Sequence, residues 1–247
     1  MTLVLPPSLH GAADVAVSVN RVDLTPDDRA AMFALMDSHF EGVSPDVFDR
    51  DLDEKDCVLQ IVRDGALVGF STLQVYSTMC AGCSTNVIYS GDTIVSPEAW
   101  GTPVLARGWI ALVRAIQATR PDEPWYWLLL SSGFRTYRFL PVFWRDFWPR
   151  HDRMPDDGSR VMASTLARER FNGCYDEQTG VVRFPRPQRL REHLACIPDG
   201  RRSDPHVQFF LERNPGHSAG DELVCLTRLS DDNLTRAGAR MVWGSSR

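Results

Sequence analysis

Apolar and polar positions alternate over residues 15–24, VAVSVNRVDL, with Val15, Val17 and Val19 on one side, a period of two that predicts a strand. Thr25-Pro26-Asp27-Asp28 then carries the signals of a helix start. Threonine accepts orphan amide bonds, proline suits the first turn, and acids favour the positive end of the helix. That helix is expected to run to about Phe40, and Ser44-Pro45 opens a shorter one through VFDRDLDEK. CVLQIVRDG (57–65) and ALVGFSTLQVYS (66–77) read as two strands joined at Asp64-Gly65, a strong hairpin signal. After the turn MCAGCSTN comes another strand, NVIYSGDTIVS (86–96).

Val104, Leu105, Trp109, Leu112, Val113 and Ile116 recur at helical spacing and define a buried stripe. WYWLLLSS (125–132) is apolar on both faces, the pattern of a central strand. Gly133 turns the chain into FRTYRFL, a helix that Pro141 is expected to end or kink. Further helices are expected over 160–171 and 188–196. VQFFLERN (207–214) and ELVCLTRL (222–229) predict a late hairpin joined by the polar loop PGHSAGD. With no fixed-period repeat and no long linker, one extended domain over residues 1–247 is expected.

Composition narrows the function classes. The chain has 247 residues, 43% hydrophobic and 24% charged, ordinary for a globular protein with a sizeable core. A net charge of -5 argues against nucleic acid as the main partner. The mixed aromatic and basic stretch RFLPVFWRDFWPRHD (138–152) is therefore read as buried aromatics with exposed arginines rather than a surface for single strands. No apolar run is long enough to cross a bilayer, so no membrane partner is expected. The start, MTLVLPPSLHGAADVAV, lacks a basic segment and reads poorly as a leader. Six scattered cysteines point to a reducing cytoplasm. Cys80-Ala81-Gly82-Cys83 has metal-knuckle spacing, but no second pair follows at zinc-site distance, so two free thiols and no metal are expected.

VSPEAWGTPVLARGW, residues 95–109, passes from strand to helix through Pro97, Gly101 and Pro103. Such turns offer unpaired amides and a helix dipole to anions. The order strand, two helices, three antiparallel strands, helix, strand, helix resembles a bacterial-type member of the GNAT superfamily of acyltransferases. That resemblance implies an α+β fold, a mixed and mainly antiparallel sheet splayed between its fourth and fifth strands and flanked by helices. It covers residues 15–145, with the hairpin at 205–230 closing the sheet and 146–205 as an insertion. It also implies an acyl-CoA or acyl-pantetheine donor. Ile94, Val95, Gly101, Thr102, Val104 and Leu105 are the expected donor-binding residues. Trp100 stands where the family carries Gln or Arg, and Pro103 removes an amide donor. An acyl-carrier protein, whose pantetheine arm needs no pyrophosphate cradle, is thus an alternative donor. A helix start holding no ligand is the plain alternative.

Acyl transfer to an amine needs a group to take a proton and an acid to protonate the departing thiolate. Asp92, between Gly91 and Thr93 on the fourth strand, is the candidate base, and Tyr137 the candidate acid by the family's placement of a tyrosine. Ser131, Ser132 and His217 are candidate substrate contacts; Arg213 is grouped with His217, and Phe143, Trp144 and Phe147 offer walls for an acyl chain. Glu98 reads as a helix-start charge. The expected activity is transfer to a small amine acceptor by direct attack. The alternatives are a non-catalytic module binding an acyl ligand or a partner, and a carrier-dependent synthase of an acylated amino acid.

Overall fold

The structure, a computed structural model, describes residues 2–80, 82–153 and 157–243. Strand β1 (Leu9–His10) pairs antiparallel with β2 (Asp14–Asn20). Helix α1 (Pro26–His39) begins as its sequence predicts. Thr25 Oγ1 accepts from the Asp28 N–H at 3.1 Å, and Asp28 Oδ2 accepts from the Thr25 N–H at 2.9 Å. A short strand β3 (Phe40–Glu41) and helix α2 (Pro45–Asp53) follow. Strands β4 (Cys57–Arg63) and β5 (Ala66–Cys80) meet at Asp64-Gly65, whose φ values of 50° and 80° fit a turn that matches strand twist. β6 (Cys83–Val95) returns beside β5; Ala81, in the turn between them, lies outside the described residues.

Helix α3 (Val104–Gln117) lies against β2 and β4. Gly108 permits that approach, because a Cβ there would come within 2.7 Å of the Ala16 Cβ. Strand β7 (Trp125–Ser131) is followed by two short helices, α4 (Phe134–Tyr137) and α5 (Phe139–Phe143). The break falls at Arg138, not at Pro141 itself: proline has no N–H to give the Tyr137 carbonyl, so the ladder lapses one turn earlier. Beyond lie α6 (Asp157–Arg170), β8 (Tyr175–Asp176), β9 (Val181–Val182), β10 (Arg189–Leu190), α7 (Glu192–Ala195), α8 (Pro205–Arg213), β11 (Glu222–Arg228) and α9 (Arg236–Trp243).

The large sheet runs β1-β2-β4-β5-β6-β7-β11-β9-β8, antiparallel except for the pair β6 and β7. α3, α5 and α8 cover one face, where Leu112, Trp127, Phe210 and Leu223 share a core. On the other face α1 and α2 bury Met32, Phe48 and Phe70, and α6 buries Leu128, Leu166 and Val224. This is a mixed, mainly antiparallel and helix-flanked α+β architecture.

Two expectations are corrected. Residues 205–213 are helix, not the first arm of a hairpin. Asp204 accepts the His206 N–H at 3.0 Å, Pro205 takes the first turn, and Val207 and Phe210 are buried three residues apart, a helical rather than an alternating pattern. β11 consequently pairs with β7 on one side and β9 on the other. The helix expected over 188–196 shrinks to α7, because β10 is drawn into a two-stranded ribbon with β3.

Candidate active site

The parallel pairing of β6 with β7 runs only from Asn86 opposite Trp125 to Ser90 opposite Leu129. Directly after it, β6 carries a bulge against β5. Ser90 faces Leu73 and Thr93 faces Ser71, so Gly91 and Asp92 together oppose Thr72. A bulge bends its strand and re-aims side chains. β6 therefore follows β5 to Val95 while β7 follows β11 to Ser131, and a wedge opens between them. A cavity of about 670 Å³ occupies it.

The strands supply Tyr89, Asp92 and Ile94 to the cavity wall, α1 and α2 supply His39 and Asp51, and the loop before α3 supplies Trp100, Gly101 and Thr102. The fourth wall comes from the segment between α6 and α8: Phe184, Arg186, Leu190 and Leu194 roof the wedge. The β3–β10 ribbon holds that roof to the end of α1, and Arg135 Nη1 holds it at the other end by donating to the Leu194 carbonyl at 2.7 Å.

The polar centre is unusual for its acids. Burial, the Asp51 charge and, in the opposite sense, Lys55 act on Asp92, and its carboxyl is pushed up to about 7. Burial, Asp92 and Asp51 push Glu222 up to about 8. These groups titrate as one set rather than singly. Lys55, the only lysine in the sequence, is fully buried and bound to Asp51 Oδ2 at 2.6 Å. It lies under Gly91, where a Cβ would come within 2.9 Å of its Cε. Tyr89 is 6% exposed, and its hydroxyl has no hydrogen-bond partner among the described residues. Burial raises its pKa, so the phenol keeps its proton at neutral pH.

At the other end, the loop before α3 turns at Gly101, φ 90°. Trp100 folds back, its indole N–H donating to the Val95 carbonyl at 2.7 Å, and its ring lies 4.0 Å from the Arg135 guanidinium. The cavity thus has a cation, the Arg135 guanidinium, beside the start of α3.

Of the residues singled out from sequence, Asp92, Ile94, Val95, Gly101, Thr102, Leu105, Ser132 and His217 line the cavity. Val104 does not: its side chain is buried, in the space that a Cβ on Gly11 would meet. Tyr137 is corrected. It is fully buried in the core, and its hydroxyl donates to the Pro149 carbonyl at 2.9 Å, away from the wedge. Ser131 is corrected likewise, buried with its Oγ 3.7 Å from Cys225 Sγ. Phe143, Trp144 and Phe147 belong to the core and not to the cavity wall, and Arg213 is tied to the Thr179 carbonyl at 2.9 Å. Asp51, Lys55, Tyr89, Arg135 and Glu222 had not been singled out. A lone lysine in an arginine-rich chain was the one available signal.

No protein-family model and no curated protein sequence matches the chain. Solved structures with a similar arrangement include a probable N-acyltransferase from Enterococcus faecalis, at 14% identity over 57% of this chain and 38% of that chain, TM-score 0.40. An acyl-CoA N-acyltransferase from Pseudomonas aeruginosa is 21% identical over 47% of this chain and 79% of that one, TM-score 0.35. A GNAT family N-acetyltransferase from Escherichia coli, solved with CoA, is 19% identical over 55% and 71%, TM-score 0.37. At these identities and TM-scores the likenesses carry no argument about what this chain does.

Proposed function

We propose that the protein is an acyltransferase, moving an acyl group from an acyl-CoA or acyl-pantetheine thioester to the amine of a small acceptor by direct attack in the wedge. The observation that carries this reading is the divergence of β6 from β7 at the Gly91-Asp92 bulge, around a carboxyl poised near neutral pH. A thioester arm entering between the strands meets the β6 edge that β7 has left. Its phosphate end meets the start of α3, whose first amides have no intrahelical acceptor, and the Arg135 guanidinium.

Asp92 takes the proton of the attacking ammonium; a base near the working pH suits that task. The free amine adds to the thioester carbonyl, and the carbon–sulfur bond breaks as the amide forms. Tyr89, protonated and lining the cavity, gives its proton to the departing thiolate and is reprotonated by the second N–H proton that the nitrogen sheds as the amide forms. The roof over 184–195 narrows the wedge and favours small acceptors.

Trp100 and Pro103 favour a donor held mainly by its pantetheine arm. The test is thermal stabilisation by acetyl-CoA and by acetyl-pantetheine, together with amine-dependent thiol release from each. Stabilisation by both with thiol release supports the reading; stabilisation without release across an amine panel assigns the cleft to ligand binding alone.

A further inference from the structure

Two carboxylates of the cavity, Asp92 and Glu222, form no ion pair among the described residues, and Lys55, whose charge acts on Asp92, is bound to a third, Asp51, at 2.6 Å. Asp92 lies on β6 and Glu222 at the start of β11, beside the end of β7, so they flank the wedge from opposite sides. The cavity's arginines supply no such pair. Arg50 donates to the Asp46 carbonyl at 3.0 Å, Arg135 is held by Leu194 and Trp100, and Arg186 is exposed at the rim. Arg170, stacked on Tyr89 at 3.9 Å, is bound to Gln74 and to Glu54.

A second observation points to a ligand rich in N–H groups. His39 is 7% exposed and lines the same cavity. Its Nδ1 lies 2.9 Å from the Leu35 carbonyl, an acceptor, so Nδ1 carries a proton, and in the neutral ring Nε2 is an acceptor. That Nε2 is buried and has no partner. The Tyr89 hydroxyl forms no hydrogen bond among the described residues and also offers an acceptor oxygen.

We propose that the acceptor is a small diamine: one amino group docks at Asp92 and is acylated, while the second remains an ammonium held by Glu222. This rests on the acyl-transfer reading of the same site. A single ammonium compensates one acid and leaves the other to stay protonated; two positive centres let both ionise. The shared volume of about 670 Å³, part of it taken by the donor arm, restricts the acceptor to a short chain.

The test is calorimetry on the intact protein at pH 8 with 1,n-diaminoalkanes of two to six carbons. Each is compared with the amino alcohol of equal length, in two buffers of different ionisation enthalpy. At least one diamine should bind ten-fold or more tightly than its amino alcohol and release protons. The protons come chiefly from Glu222, since Asp92 is largely ionised at that pH; the two face Asp51, Lys55 and Tyr89. Glu222→Gln should reduce the diamine to the amino alcohol's affinity; should that variant not fold, the wild-type preference decides alone. Equal binding of every diamine and its amino alcohol, or a preference surviving in Glu222→Gln, overturns the proposal. Thiol release with the amino alcohols separates the two readings: release without a diamine preference sinks only the diamine, whereas diamine binding with no release from any amine sinks the acyl transfer.

Discussion

Lys55 Nζ lies 2.6 Å from Asp51 Oδ2, with the lysine side chain fully buried and the aspartate side chain 43% exposed. The pair joins the end of α2 to the floor of the wedge, and the same ammonium draws down the titration of Asp92. Lys55→Met removes a charge-assisted bond while water still reaches Asp51, so about 2 kcal/mol of stability should be lost. Urea unfolding measures that loss. The pH–rate midpoint attributed to Asp92 should move to higher pH in the same variant.

Asp92 sets a pH dependence of both rate and stability. As a base it must be ionised, so turnover should rise through about pH 7 and level off above. Asp92→Asn should lose about 10²-fold or more in rate, together with that rising limb. Stability runs the other way. The folded carboxyl binds its proton more tightly than the unfolded one, so its contribution is complete below about pH 4 and is lost as pH rises through about 7. Above pH 7, Asp92→Asn should therefore melt at a higher temperature than the parent, a gain that vanishes near pH 4.

Tyr137 is a packing residue with one polar handle. Tyr137→Phe leaves the Pro149 carbonyl without its donor in the core and should cost about 1–2 kcal/mol, with turnover per folded molecule unchanged. Tyr89→Phe should do the opposite, sparing stability and lowering turnover, because its hydroxyl has no partner among the described residues to lose. Paired unfolding and rate measurements on the two variants separate the roles.

Arg135 is the cation at the start of α3. Arg135→Ala should weaken acetyl-CoA by about ten-fold, the scale of one charge-assisted bond, and acetyl-pantetheine by much less. Competitive binding of the two donors reads the difference directly.

Much of the fold was legible because its local signals agree with its packing. Thr25 to Asp28 caps its helix, Asp64-Gly65 turns its hairpin, and the doubly buried β7 reads as apolar throughout. Val207 to Asn214 misled because an apolar cluster of four residues fits either period, and the Asp204-Pro205 cap that decides it lies just outside. Asp92 was legible from its strand. Asp51, Lys55 and Glu222 were not, since their chemistry arises only when the end of α2 and the start of β11 meet across the wedge. Nor does anything local in Phe184 to Leu194 announce a roof: that segment gains its place from a two-residue ribbon with β3.

Amine-dependent thiol release from acetyl-pantetheine at pH 8, compared between the protein and Asp92→Asn, tests acyl transfer in the wedge most directly. The account predicts release that requires an amine and falls at least 10²-fold in the folded variant. Equal rates in the two proteins, or no release above the uncatalysed background with acetyl-pantetheine or acetyl-CoA, would contradict it.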